Sequence, residues 1–248
     1  SGVYRGPAHS ACNLNYRIPD HIPVIFHNLR SYDAHFIMTE IGQIKNRKIT
    51  CIPNNKEKYI SFSLGHLRFI DSFQFLNTSL EKLTENLAKE GKTKFRNLQH
   101  LYKENHQIQL LLRKGVYPYD YVTGPNKLEE TSLPAIECFY NMLTDEACSE
   151  LDYQHANNVW NTFNIKTLGQ YHDMYMKLDV ILLADIFQNF RDVCLNYYSL
   201  DALYFYTSPG LAWKSCLKMT SVELELLTDP DMYMFFEQGV RGGVSMIS

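Results

Sequence analysis

Two carboxylates in this chain have neighbours that suit chemistry. Asp33 closes the segment FHNLRSYD, directly after the apolar run IPVIF, so Asn28, Tyr32 and Asp33 fall where a strand ends and a helix begins. α/β proteins hold their ligands at that position. Asp179 lies in YMKLDVILLAD, one helical turn after Tyr175. Residues at i and i+4 share a helix face, so the Tyr175 phenol can reach a water that the Asp179 carboxylate organises. Hard divalent cations take carboxylate oxygens, and two of them about 3.5–4 Å apart stabilise both the attacking and the leaving oxygen of phosphodiester hydrolysis. Each residue alone has a plainer reading. An Asp ahead of a helix is commonly a cap, and a Tyr-x-x-x-Asp pair commonly decorates a helix surface.

Elements must bring such residues together, and the pattern supplies them. IPVIFHN reads as a short buried strand, and a helix is expected from Ala34 to Gln43. KITCIP, KYISFSL and LRFIDSFQF, separated by Asn54-Asn55 and Gly65, read as neighbouring strands joined by turns. SLEKLTENLAKEG has a Ser79 cap, Leu80, Leu83 and Leu87 at helical spacing, and a terminating Gly91. Residues 116–134 form a loop rich in Tyr, Pro and Gly. YHDMYMKLDVILLADIFQNFRDVCLNYYSL then carries the strongest helical periodicity in the chain, without Gly or Pro. The fold class expected is α/β or α+β, a mixed sheet followed by helices.

With 248 residues, 45% hydrophobic and 21% charged, the chain has the composition of a globular protein and not of a collagen, disordered or disulfide-scaffold chain. Its net charge of −3 conceals a split. Residues 1–115 hold 17 Lys and Arg against 9 Asp and Glu, and residues 116–248 hold 7 against 18. The first half can therefore face a polyanion, and the stretch from Lys89 to Lys114, with Phe95 and Tyr102 among its cations, suits a phosphate-tracking surface as well as a solvated helix. The six cysteines are scattered with no Cys-x-x-Cys. No apolar run approaches the ~20 residues that cross a bilayer, and an intracellular location is the default expectation.

Asn28-x-x-x-Tyr32-Asp33, Ser79-Leu80-x-x-Leu83 and Tyr175-x-x-x-Asp179 occur in one fixed order. That order resembles the proofreading region of the family B DNA polymerases, specifically the protein-primed branch of viruses, linear plasmids and Polinton-type transposons. The closing GVRGGVS resembles the Tyr-x-Gly-Gly segment that joins exonuclease and polymerase parts in that branch, although no Tyr stands there and Val240 precedes Arg241. The resemblance implies a ribonuclease-H-like (DnaQ-type) 3′→5′ exonuclease fold, truncated at both ends. It implies Asp33 and Asp179 as catalytic ligands of Mg²⁺ or Mn²⁺, with Tyr175 orienting the attacking water. Asn28, Phe36, Ser79 and Leu80 would hold a single-stranded 3′ end, Phe36 by stacking, and Arg241, Gly242 and Gly243 would approach the template backbone. The auxiliary lysine of the family has two candidates here, Lys166 and Lys177.

The resemblance also divides the chain. Residues 1–20 match the trailing half of a His/Cys module and a linker, in which His9 and Cys12 have zinc-ligand spacing but no second pair. Residues 21–200 match the exonuclease-like domain, and 201–248 the connection to a polymerase palm. The family's first motif, Asp-x-Glu, should precede Asn28, yet only Asp20 does. Asp229-Pro230-Asp231 is the one Asp-x-Asp, and its proline marks it as a helix cap. The expected parent extends DNA from dNTPs on a primer-template and edits 3′ ends, with a terminal priming protein as partner, no membrane, and a nuclear location if a eukaryotic mobile element carries it. The isolated piece is expected to be weakly active or inactive. The alternatives are a non-catalytic DNA-binding remnant of a mobile element and a stand-alone 3′→5′ exonuclease.

Overall fold

The computed structural model describes residues 21–30, 33–44, 48–55 and 58–239. The β-branched run IPVIF forms β1 (Ile22–Phe26), and the turn after it leads into α1 (Asp33–Ile41). β2 (Ile49–Pro53), β3 (Tyr59–Leu64) and β4 (Leu67–Asp71) follow as an antiparallel meander, whose last turn uses Gly65 at φ 58°. β1 lies parallel to β4, so the sheet order is β1-β4-β3-β2. The register pairs Phe26 with Asp71, and both strands end at the same sheet edge.

Alternation along the strands gives the sheet two covered faces. Val24 and Phe26 of β1 pack with Phe62, Phe69 and the α1 residues Ala34, Ile37 and Ile41. Phe62 and Phe69 stack with ring centroids 4.6 Å apart. Ile25 points the other way, into a cluster with Phe187, Cys194, Ala202 and Leu211. Those residues come from α6 (Leu168–Tyr198), from α7 (Ser208–Thr220) and from the turn between them. Ala202 and Leu211, expected in the connecting segment, thus share a core with Ile25 of the sheet.

The remaining helices are α2 (Leu80–Lys89), α3 (Arg96–Leu101), α4 (Asn105–Leu111), α5 (Glu150–Thr162) and α8 (Pro230–Gly239). α6 runs 31 residues and is the spine against which α2, α3 and α4 close. Leu87, Phe95, Leu98, Leu111 and Leu182 meet there, fully or almost fully buried. Thr167 starts α6 by accepting the Gln170 N–H at 3.3 Å, and Ser79 starts α2 by accepting the Lys82 N–H at 3.4 Å. The buried Asp185 carboxylate of α6 accepts the N–H groups of Asn97 and Leu98, which satisfies the first turn of α3 across 88 and 87 residues of chain. Asp229 caps α8 through the Asp231 N–H at 2.8 Å, the role expected of that Asp-Pro-Asp. Cys51, Cys138, Cys148, Cys194 and Cys216 are free thiols. Among the described residues no helix is long and apolar enough to cross a membrane.

Candidate functional site

One group of candidates gathers where β1 and β4 end. Asn28 follows β1 at φ 66°, a left-handed conformation that Asn tolerates better than most residues, and it is exposed. Its N–H donates to Asp71 Oδ1 at 2.8 Å, from the end of the neighbouring strand. The Ser72 hydroxyl donates to the Phe26 carbonyl at 2.7 Å and also meets His27 Nδ1 at 2.9 Å. His27 Nε2 donates to the Thr78 carbonyl at 2.8 Å, which ties the start of α2, and Ser79 with it, to this edge of the sheet. Asp33 heads α1, exposed, and Phe36 lies one turn further with 58% of its surface exposed. Ser79 serves as the α2 cap, and Leu80 packs against the cluster around α6.

A second group is built on α6. Tyr175 is buried, and its ring lies against Gly115, where an added Cβ would come within 2.8 Å of Tyr175 Cδ2. Only glycine allows that approach. The chain then wraps the helix with aromatic rings: Tyr117 stacks on Tyr175 at 4.9 Å, and the Tyr119 hydroxyl hydrogen-bonds the Tyr175 hydroxyl. Tyr117 is held in turn by His172 Nδ1 at 2.7 Å, and Tyr171 donates to the Val116 carbonyl at 2.6 Å. Burial, the Tyr119 hydrogen bond and the nearby Asp179 charge all push the Tyr175 phenol far above its ordinary value, so it stays protonated.

Asp179 Oδ1 is buried and has no hydrogen-bond partner among the described residues. Burial pushes its carboxyl above the usual carboxylate range, while the Tyr175 hydroxyl and the Lys114 ammonium pull it back. The lysine charge felt at Asp179 is that of Lys114, while Lys166 and Lys177 are exposed. Lys114, Gly115, Tyr117 and Tyr119 escaped sequence reasoning because they belong to a loop whose packing on α6 is a long-range fact. The crowding of tyrosines in KGVYPYDY was the signal available. Ser72 and Asp71 escaped it because the β1–β4 register cannot be read locally.

The two carboxylates expected to share metal sit on helices that pack on opposite faces of the sheet. Among the described residues no group of three or more His, Cys, Asp or Glu side chains forms a metal cage. His9, Cys12, Tyr32, Arg241, Gly242 and Gly243 lie outside the described residues.

Among the described residues the chain is thus a mixed α/β protein with a four-stranded sheet and, on its 31-residue helix, a buried tyrosine beside a half-buried carboxylate. Residues 14–248 match the family model of DNA polymerase type B, organellar and viral, and the chain belongs to that family. None of the curated proteins and none of the solved structures matches it.

Proposed function

We propose that this chain is the 3′→5′ proofreading exonuclease region of a protein-primed type B DNA polymerase, with a ribonuclease-H-like fold. The observation that carries the reading is Asp179, a carboxylate kept beside a protonated tyrosine and a lysine with one buried oxygen unpartnered among the described residues. A hard cation would satisfy such an oxygen, and the family resemblance supplies Asp33 as the second ligand, although its helix packs on the other face of the sheet. Mg²⁺ or Mn²⁺, when bound, would supply Lewis-acid stabilisation of charge on the phosphoryl oxygens.

The chain's own residues do the rest. Lys114 opposes burial and favours the anionic form of Asp179. Tyr175, braced by Tyr119, orients a water through its hydroxyl and, because it keeps its proton, does not serve as the base. Asn28 and Ser79 offer an amide and a hydroxyl to sugar or phosphate, Leu80 supports that strand of DNA, and Phe36 gives a ring face to a frayed base, worth ~1–3 kcal/mol per base. Hydrolysis joins water oxygen to phosphorus and breaks the bond to the preceding 3′ oxygen, which takes up a proton, so that a nucleoside 5′-monophosphate leaves. β1 is the last strand of the sheet as described. A further strand on its open side would end at the Asn28 edge, a suitable place for an Asp-x-Glu pair. In the parent, dNTPs would be the substrates of synthesis and a terminal protein the primer.

A non-catalytic DNA-binding role is the second reading, favoured by the basic first half. Incubating the purified chain with 5′-labelled single-stranded DNA and Mg²⁺ separates the two. Progressive 3′ shortening, lost in Asp179→Ala and in Asp33→Ala, supports the exonuclease. Salt-sensitive binding with no shortening at any Mg²⁺ or Mn²⁺ concentration supports the inert binder.

A further inference from the structure

Asp71 is 1% exposed and takes no part in the chemistry above. Buried carboxylates persist where N–H donors converge on them, and three do so here. Oδ1 accepts the Asn28 N–H at 2.8 Å and the Phe73 N–H at 3.0 Å, and Oδ2 faces Gln74 Nε2 at 3.4 Å. Gln74 Oε1 in turn accepts Arg30 Nη1 at 3.3 Å. One all-acceptor side chain at the end of β4 thus holds the turn after β1 both directly, at Asn28, and through Gln74, at Arg30.

That turn is strained at the residue proposed to receive DNA. Asn28 at φ 66° lies in a region that L-residues populate sparingly, and such conformations persist where the surroundings over-determine them. The bond from its N–H to Asp71 is such a constraint, and the adjacent Ser72–Phe26 and His27–Thr78 bonds fix the residues on either side of the strand end.

Building on the proofreading reading, we infer that Asp71 is a positioning residue: it fixes the backbone of Asn28 so that the exposed Asn28 side chain is pre-set for a single-stranded 3′ end. It touches no DNA itself. A carboxylate is required and an amide is not equivalent, because the NH₂ introduced by Asp71→Asn would meet the Gln74 NH₂ donor to donor. Turning Gln74 to relieve this would take its oxygen away from Arg30.

The test is a double-mutant cycle on the full chain, with Asn28→Ala, Asp71→Asn and the double variant. The readouts are the affinity for a 5′-fluorescein single-stranded oligonucleotide in EDTA and the Mg²⁺-dependent cleavage rate of the same DNA. Asp185→Asn is the control, since Asp185 is an equally buried carboxylate that receives N–H groups at α3. Asp71→Asn should weaken binding about tenfold, because the Asn28 N–H bond loses its charge assistance and the link through Gln74 to Arg30 is broken. In the Asn28→Ala background it should change binding less than about twofold, because the residue it acts through is gone. Asp185→Asn should lower thermal stability yet leave affinity unchanged. Full additivity of Asp71→Asn and Asn28→Ala, with the wild type binding and cutting DNA, overturns the inference alone. A wild type that neither binds nor cuts overturns the proofreading reading and this inference with it.

Discussion

Protonation of His155 should be a main route by which acid unfolds this protein. His155 lies on α5, 9% exposed, and its Nε2 has no hydrogen-bond partner among the described residues. It lines a cavity of about 10 Å³ with Gly115, Tyr171 and Tyr175, room for no more than one water to solvate an imidazolium. Burial first, and the Arg113 guanidinium second, depress its pKa from 6.5 to about 4, with Asp152 opposing them. The folded state therefore binds the proton later than the unfolded chain does. His155 costs the fold nothing at pH 7, and stability is lost as pH falls from 6.5 toward about 4. Linkage with these two values gives a loss of about 2 kcal/mol between pH 7 and pH 5. The assay is urea unfolding, followed by Trp160 and Trp213 fluorescence, for wild type and His155→Leu at both pH values. Leu is apolar, close in volume and cannot be protonated, and comparing the two proteins cancels the carboxylates that also titrate. The wild type should lose about 2 kcal/mol more than His155→Leu on acidification. Equal losses in the two proteins would refute the assignment of a buried, neutral His155.

Two further outcomes follow from the α6 site. Gly115→Ala drives a methyl to 2.8 Å from a ring carbon of Tyr175 that packing does not let move freely, so the ring must shift. DNA shortening should fall by about a hundredfold, as misplacement by an ångström does, while urea unfolding registers a loss of only about 1–3 kcal/mol. Asp179→Asn should abolish cleavage and make the protein more stable at pH 7. The folded carboxyl is raised above its ordinary 3.8, so the wild type loses stability as pH climbs from there and the variant does not. Unfolding curves of the two should converge below about pH 3 and diverge toward neutrality.

Much of the frame was legible because it rests on local periodicity. The IPVIF run, the meander around Gly65, the Ser79 cap and the 31-residue α6 all come from spacing within a window of a few residues. Asp33 and Tyr175–Asp179 could be singled out for the same reason, since strand ends and i,i+4 pairs are local patterns. The residues that brace them could not. Lys114 and Gly115 reach α6 from a loop far upstream, Asp71 reaches Asn28 through a parallel pairing 43 residues apart, and Asp185 caps α3 across 88. Each is set by tertiary packing, which leaves no periodic trace. Ser79 shows the converse, a motif residue whose hydroxyl the structure uses as a helix cap.

The central claim is that Asp179 holds a divalent cation for hydrolysis of a DNA 3′ end. Mn²⁺ binding, measured by electron paramagnetic resonance on wild type and Asp179→Asn with a cleavage-resistant 3′-phosphorothioate oligonucleotide, tests it most directly. The account predicts that wild type binds Mn²⁺, that the oligonucleotide tightens this binding, and that Asp179→Asn loses both effects. Identical Mn²⁺ binding by the two proteins, indifferent to the oligonucleotide, would contradict it.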